Sequence, residues 1–372
     1  MRTIGIVGGG QLGRMLSIAA QNLGFETIVL DPTPNSPAGQ VTEQIVGDFK
    51  DGEKIKELAK LVDFMTFEIE SANVDALEEL LTAGHDINPS PSTLSIIKDK
   101  YLQKKFLSEN HIPVAQYREV AVGDLRDVIE EFGYPILLKT KRDAYDGRGN
   151  ALIEKESDIL PALEKLGGRQ LYVERFFPFV KELAVIVARD KRGNILPYPP
   201  VETIHKNNIC HLVISPAPVS IEVQMKAQRL AVNVMNHLNG VGVFGIEMFL
   251  SSDGEVVVNE IAPRVHNSGH HSIEAHETSQ FEQHIRAITG MPLGSIKRRV
   301  PHSVMINILG ERSGPAEVAG LERLAEITGA HAHIYGKAET RPERKMGHIT
   351  VIGDTMEDVL ERAKLARSLI SI

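Results

Sequence analysis

The chain has 372 residues, 42% apolar and 24% charged, enough for two or three cores and ordinary for a globular protein. Its formal net charge of -8 argues against general binding to nucleic acid or an anionic membrane surface, while local Lys and Arg clusters leave anionic small molecules open. A single cysteine, Cys210, excludes an intrachain disulfide framework and suits a reducing cytoplasm; MRTIGIVGGG lacks the apolar run of a signal peptide, and no segment is long enough to span a bilayer.

Thr3–Val7 reads as a short apolar strand, and Gly8-Gly9-Gly10-Gln11-Leu12-Gly13 leads from it into a helix ending near Leu23. A strand Thr27–Leu30 ends at Asp31, where a ribose-binding acid would sit after a G-x-G-x-x-G turn. Taken alone this points to an NAD-dependent oxidoreductase, but glycine turns recur in parallel-sheet domains that bind other phosphorylated ligands or none. Strand Asp63–Phe67 and helix Val74–Leu81 continue a β-α-β order that implies a parallel sheet. From Leu94 to Asn110 the pattern is helical and lysine-rich (Lys98, Lys100, Lys104, Lys105), and Pro113 stops it. Helix Leu125–Phe132, strand Pro135–Thr140, a glycine-bearing loop Asp143–Asn150 and strands Gln170–Glu174 and Leu183–Arg189 follow. Helix Ile221–Leu238 carries Leu230, Ala231, Val234, Met235 and Leu238 at three-four spacing, so one face is core.

Val241 to His270 reads as two period-two strands joined by an Asp253-Gly254 turn. Centred on that turn, Glu247 faces Glu260. Two carboxylates about 5 Å apart repel by roughly 3 kcal/mol at an effective dielectric of 20, and like charges are normally avoided across a ladder. A divalent cation between them resolves the conflict, and hard oxygen ligands without a nearby Cys favour Mg²⁺. A register slip that leaves Glu247 solvated is the bland alternative; the apolar Phe244, Ile246 and Met248 on the other face weigh against it. Beyond the hairpin lie helix Gln280–Thr289, closed by Gly290, and a tail with strands Ser303–Ile308 and Ile349–Ile352 and a last helix from Met356.

Three features ahead of the hairpin point to ATP. Lys139 lies on a strand just before the loop Ala144-Tyr145-Asp146-Gly147-Arg148-Gly149-Asn150, whose N–H groups can cradle phosphates. Lys100 supplies a second cation. Leu171-Tyr172-Val173-Glu174-Arg175-Phe176-Phe177 leads into an aromatic turn suited to an adenine pocket. Each feature alone has a plain reading as surface or turn; their order before an acidic hairpin is much less easily dismissed. The histidines His266, His270, His271 and His276 do not form H-E-x-x-H and have no accompanying Cys, so hydrogen-bonding histidines are preferred to zinc ligands. Arg341, Arg344, Lys345 and His348 form a basic run that ordinarily is a solvated face.

At this point the chain resembles the ATP-grasp superfamily. GGGQLGRM, KTKRDAYDGRGN, NEIAPRVHNSGH, SQFEQHIRAITGMPL and RPERKMGHITV together are similar to the N5-carboxyaminoimidazole ribonucleotide synthetases within it. The resemblance implies an α/β and α+β fold of three domains. These are a Rossmann-like pre-ATP-grasp domain over 1–98, an ATP-grasp domain over 99–295 and a small β-rich C-terminal domain over 296–372. It implies a cytoplasmic ligase, a homodimer, that carboxylates 5-aminoimidazole ribonucleotide with bicarbonate at the expense of ATP and Mg²⁺, with Mn²⁺ as an alternative ion.

Residue by residue, the resemblance assigns Lys100, Lys139 and the loop Ala144–Asn150 to the ATP phosphates. It assigns Glu174, Arg175, Phe176 and Phe177 to the adenine pocket, Glu182 with His205 to the ribose, and Asn259 with Glu260 to the rest of the nucleotide. Glu247 and Glu260 are the implied Mg²⁺ ligands. Tyr145, Asp146 and Arg148 would face the ribonucleotide, with Lys337 and Arg344 on its 5′-phosphate and Gln11, Leu12, Glu70, Asn267 and Ser268 bordering it. Arg264 would fork onto bicarbonate or carboxyphosphate, with an ion pair to a hairpin carboxylate as its structural alternative; Asp146 and Arg148 complete the implied catalytic set. Many ATP-grasp enzymes read Glu-x-Asn where this chain has Glu260-Ile261-Ala262; Ala262 cannot ligate, and Asn267 is the substitute. His266-Asn267-Ser268-Gly269, where the related formate-dependent glycinamide ribonucleotide transformylase typically reads His-Asp-Thr-Gly, favours bicarbonate over formate.

Overall fold

The computed structural model describes residues 1–142 and 149–372. The first strands form a parallel sheet in the order Glu43–Val46, Glu26–Asp31, Thr3–Val7, Phe64–Phe67. Strands Thr3–Val7 and Phe64–Phe67 are buried almost throughout, as parallel strands covered on both faces require. Glu43–Val46 had no legible strand signal: it is a short edge strand with neither alternation nor a fully buried residue.

A second, antiparallel sheet runs Tyr117–Val120, Leu171–Arg175, Ile136–Thr140, Asn150–Ile153, and shares a core with helices Leu125–Phe132 and Ile159–Leu166. The largest sheet has nine strands. It passes from Val256–Ala262 through Gly242–Ser251, Phe179–Arg189, Val201–Lys206, Ile209–Ser215, His302–Leu309 and Lys345–Gly353 to Ala330–Ile334, with Ile195–Pro197 added beside Phe179–Arg189. While Gly314–Pro315 and Glu339–Thr340 form a two-stranded sheet of their own, the tail strands His302–Leu309, Lys345–Gly353 and Ala330–Ile334 extend the central sheet, because Ile209–Ser215 pairs with His302–Leu309. That pairing covers a backbone edge which would otherwise be open.

Alternation places the two faces of the central sheet in different cores. Leu183, Val185 and Val187 with Phe244, Ile246 and Met248 pack against helix Ile221–Leu238. Ile186, Ala188 and Val243 pack with Phe281 and Ile285 and with Leu12, Met15 and Leu16 of the N-terminal helix Gln11–Asn22. The second face is thus where the parallel-sheet unit meets the central sheet, and the cavity opens between them.

The expected helix over Leu94–Asn110 is two helices, Pro91–Lys98 and Lys100–Glu109. Asp99 breaks it: its own backbone is extended, and its carboxylate accepts from the N–H groups of Tyr101 and Leu102, an N-cap that a lysine-rich periodic pattern concealed. The break turns Lys100, Gln103 and Lys104 toward the edge strand Val256–Ala262. Gln103 closes that edge, accepting from the Ile261 N–H at 2.9 Å and donating to the Ile261 carbonyl at 3.2 Å. Replacing Gln103 by Leu leaves both main-chain groups buried and unpartnered. The expected loss is about 1–3 kcal/mol, read as a lower urea midpoint at unchanged slope.

Candidate active site

The hairpin register pairs Glu247 with Glu260. It does so by a different route from the two-residue turn expected. Leu250 faces Val256, and the Ser251 N–H donates to the Glu255 carbonyl at 3.0 Å, so Ser252-Asp253-Gly254 is a three-residue loop. A bulge between Glu247 and Met248 then adds Asn259 to the second strand and restores the carboxylate pairing. The bulge also lets consecutive residues, Asn259 and Glu260, both line the cavity, the re-aiming for which bulges near functional sites are used. Burial and the neighbouring Glu260 push the Glu247 carboxyl up to about 7. The pair is therefore short of positive charge.

Lys100 Nζ contacts Glu260 and answers that charge, whereas His266 Nε2, 3.5 Å from Glu247, belongs to an imidazole held well below its ordinary value by burial and by Arg264 and approaches as a neutral ring. His205 Nδ1 is 3.1 Å from Glu182, whose attraction outweighs burial and raises the imidazole above its ordinary value. Among the described residues no group of three or more His, Cys, Asp or Glu could cage a metal. Two hard carboxylates fit Mg²⁺ nonetheless, since that ion is usually bound through one or two carboxylates plus waters and substrate phosphates. No zinc site forms at the histidines. Burial holds His270 down to about 3 and also lowers His271 and His276, and each makes hydrogen-bond or ring contacts instead.

The glycine turn is filled by the protein itself. Glu68 accepts from the N–H of Gly10 and, at 2.6 Å, from that of Gly13; Asp31 accepts from Gly9 at 2.9 Å and Thr33 at 2.8 Å. A Cβ on Gly8 would stand 2.5 Å from Glu68 Cγ, and one on Gly10 would stand 2.7 Å from its Oε1. The glycines therefore make room for an internal carboxylate at the helix N-terminus, where a dinucleotide would put its pyrophosphate. Asp31 is likewise committed to its own turn. This removes the basis of the oxidoreductase reading.

At the same end Arg264 pairs with Glu70 at 2.8 Å, an acid of the first unit and not of the hairpin as the alternative reading had it. Arg264 Nε and Asn267 Nδ2 are buried without hydrogen-bond partners. Two orphaned donors beside a cavity suit an anionic oxygen, and the donor end of Asn267 is a poor replacement for a metal-binding amide oxygen. Lys337 Nζ donates to the Lys345 carbonyl at 2.7 Å; burial, with Arg344 nearby, brings its amine down to about 8.

A cavity of about 1560 Å³ gathers most of the expected residues: Gln11, Leu12, Glu70, Lys100, Lys139, Asn150, Phe176, Glu182, His205, Glu247, Asn259, Glu260, Arg264, Asn267, Lys337 and Arg344. Glu174, Arg175, Phe177, Gly149 and Ser268 do not line it. Glu174 is buried among lysines, Arg175 bonds the Gln116 side chain, Phe177 stacks near Phe249, and Ser268 bonds His266. Ala144, Tyr145, Asp146, Gly147 and Arg148 lie outside the described residues. Sequence reasoning missed Phe179 and Phe249, stacked 4.5 Å apart in the wall, and also Lys104 and Glu68. Phe249 was findable, because it follows Glu247 by two on the same strand face.

Comparison with known proteins places the chain in a family. Residues 1–98 match the ribonucleotide synthetase preATP-grasp domain, 105–281 the ATP-grasp domain and 303–362 the phosphoribosylaminoimidazole carboxylase C-terminal domain. The chain is 46% identical to a phosphoribosylaminoimidazole carboxylase of Ogataea methanolica, over 97% of this chain and 68% of that protein, so it spans about two thirds of that relative. It superposes on the crystal structure of N5-carboxyaminoimidazole ribonucleotide synthetase from Thermotoga maritima with a TM-score of 0.91 at 47% identity, covering 100% of this chain and 99% of the other. An Aspergillus clavatus N5-carboxyaminoimidazole synthase in complex with ADP and 5-aminoimidazole ribonucleotide gives 0.92 at 40% identity, covering 99% and 98%.

Two outcomes test the filled turn. Gly10→Ala should destabilise the fold by about 1–3 kcal/mol in a denaturant melt, because the methyl group meets Glu68. Saturating NAD⁺ should leave the melting temperature of the unaltered protein unchanged.

Proposed function

The chain belongs to the ATP-grasp family of N5-carboxyaminoimidazole ribonucleotide synthetases, and on that premise we propose that it joins bicarbonate to the exocyclic amine of 5-aminoimidazole ribonucleotide in purine biosynthesis. The products are N5-carboxyaminoimidazole ribonucleotide, ADP and phosphate. One observation carries the reading: a single cavity holds opposed carboxylates with lysines at one end and unpartnered anion donors, Arg264 Nε and Asn267 Nδ2, at the other. A nucleotide triphosphate suits the first end and an acid with a phosphorylated acceptor suits the second.

Bicarbonate is a poor electrophile and must be activated. Its oxygen attacks the γ-phosphorus of ATP, the bond to ADP breaks, and carboxyphosphate forms. Lys100 and Lys139 hold the phosphate oxygens, while Arg264, braced by Glu70, holds the carboxylate being activated. Glu247 and Glu260 would hold Mg²⁺, which when bound neutralises charge on the phosphates. The amine then attacks the carboxyl carbon, and phosphate leaves with the amine's proton. Lys337 and Arg344 hold the ribonucleotide's 5′-phosphate, and Phe176, Phe179 and Phe249 give the adenine an apolar wall. Water has to be kept from the activated acid, which it would waste.

The test is ADP release from MgATP with ribonucleotide and bicarbonate supplied singly and together. Release that needs the ribonucleotide, with labelled bicarbonate entering an acid-labile product, is expected. Release supported equally by formate and glycinamide ribonucleotide would assign the chain to the other ligase class.

Two further outcomes follow from particular side chains. Glu260→Gln should lower kcat by about 100-fold or more while the melting curve stays close to that of the parent, since a transition-state contact is removed. Because burial places the Lys337 amine near 8, its cation is present below that pH and lost above it. The KM for the ribonucleotide should therefore climb above pH 8 while that for ATP does not, and Lys337→Ala should flatten the climb.

A further inference from the structure

The nucleotide end of the cavity contains a buried charge that the mechanism above leaves unused. Lys104 is 2% exposed and sits one helical turn beyond Lys100 on helix Lys100–Glu109. Its Nζ lies 3.4 Å from Glu174 Oε1 and 3.4 Å from the Val258 carbonyl. The same carboxylate oxygen also accepts from Lys139 Nζ at 3.1 Å and from the Tyr172 hydroxyl at 2.9 Å. One oxygen of one carboxylate thus holds both lysines, yet they differ in surroundings. Lys104 is enclosed, whereas Lys139 is more open, on a strand beside the phosphate end.

One lysine is enough to balance Glu174, so with both present one cation is in excess. With Lys104 absent, the buried Glu174 carboxylate would have Lys139 as its one neighbouring cation. Pulling a cation from a buried partner is expensive, because the charge left behind is uncompensated. Lys139 would then be pinned to Glu174 when nucleotide phosphates arrive. With Lys104 in place, Glu174 stays compensated as Lys139 turns into the cavity. Burial alone would raise the Glu174 carboxyl, but Lys104 first and Lys139 second outweigh it and hold it at about 2, so the acid remains charged.

We infer that Lys104 is a positioning residue for nucleotide binding: by neutralising Glu174 it frees Lys139 for the phosphates, without touching them itself. This rests on the reading of Lys139 as a phosphate ligand. The readout is the Kd for MgADP by calorimetry, which needs no acceptor substrate, so its failure is distinct from failure of the ligase assay.

Lys104→Met should weaken MgADP about tenfold, and Lys104→Arg should restore most of the affinity. The decisive variant is the double replacement Lys104→Met with Glu174→Gln. It removes both buried charges together and releases Lys139, so affinity should recover to within about threefold of the parent, a strongly non-additive result. It is decisive even where the single Lys104→Met protein does not fold. A double variant as weak as Lys104→Met, or about tenfold weaker than the parent when measured alone, would overturn the inference and make Lys104 a direct ligand or a packing residue.

Discussion

Two carboxylates held face to face across a hairpin set the terms for the rest of the molecule. The repulsion between Glu247 and Glu260 has to be met by positive charge, and the Glu247 carboxyl, raised to about 7 by burial and its partner, records the conflict. The surrounding structure is arranged to supply or await positive charge. Helix Lys100–Glu109 is capped by Asp99 and stitched to the same edge strand by Gln103, which brings Lys100 onto Glu260. His205 approaches from the sheet, its imidazole raised by Glu182. The apolar alternate residues of the hairpin, locked into the core under helix Ile221–Leu238, prevent the strand slip that would relieve the repulsion.

The opposite end of the cavity works by the converse logic. There the fold supplies an anion of its own in the place open to a ligand's anion: Glu68 occupies the helix N-terminus behind the glycine turn. In the proposed reaction a phosphate arriving at this end would be left to Lys337 and Arg344, and a carboxylate to Arg264, whose partner Glu70 stands two residues from Glu68. The same G-x-G-x-x-G string can therefore cradle a pyrophosphate or accept a side chain. The difference is made by an acid 58 residues beyond Gly10.

Legibility in the sequence followed the range of the interaction. The parallel first unit, the long helix and the opposed glutamates were readable because each rests on local period and turn chemistry. Even there the pairing came out right through a compensation, a three-residue loop offset by the bulge at Asn259. What stayed hidden depended on contacts distant in sequence. Asp99 as a cap lay inside a periodic lysine pattern, and Glu174 looked like pocket lining because its two lysine partners lie on other elements. The β-rich tail was legible from its own alternation, but nothing local signals that His302–Leu309 pairs with Ile209–Ser215.

The measurement that bears most directly on the whole account is a crystal structure with ADP and Mn²⁺, with the ion located by its anomalous signal. The account predicts a peak between Glu247 and Glu260, with Lys100 moved off Glu260 toward the phosphates. An ion bound to the phosphates but to neither glutamate, with Lys100 still on Glu260, would contradict it.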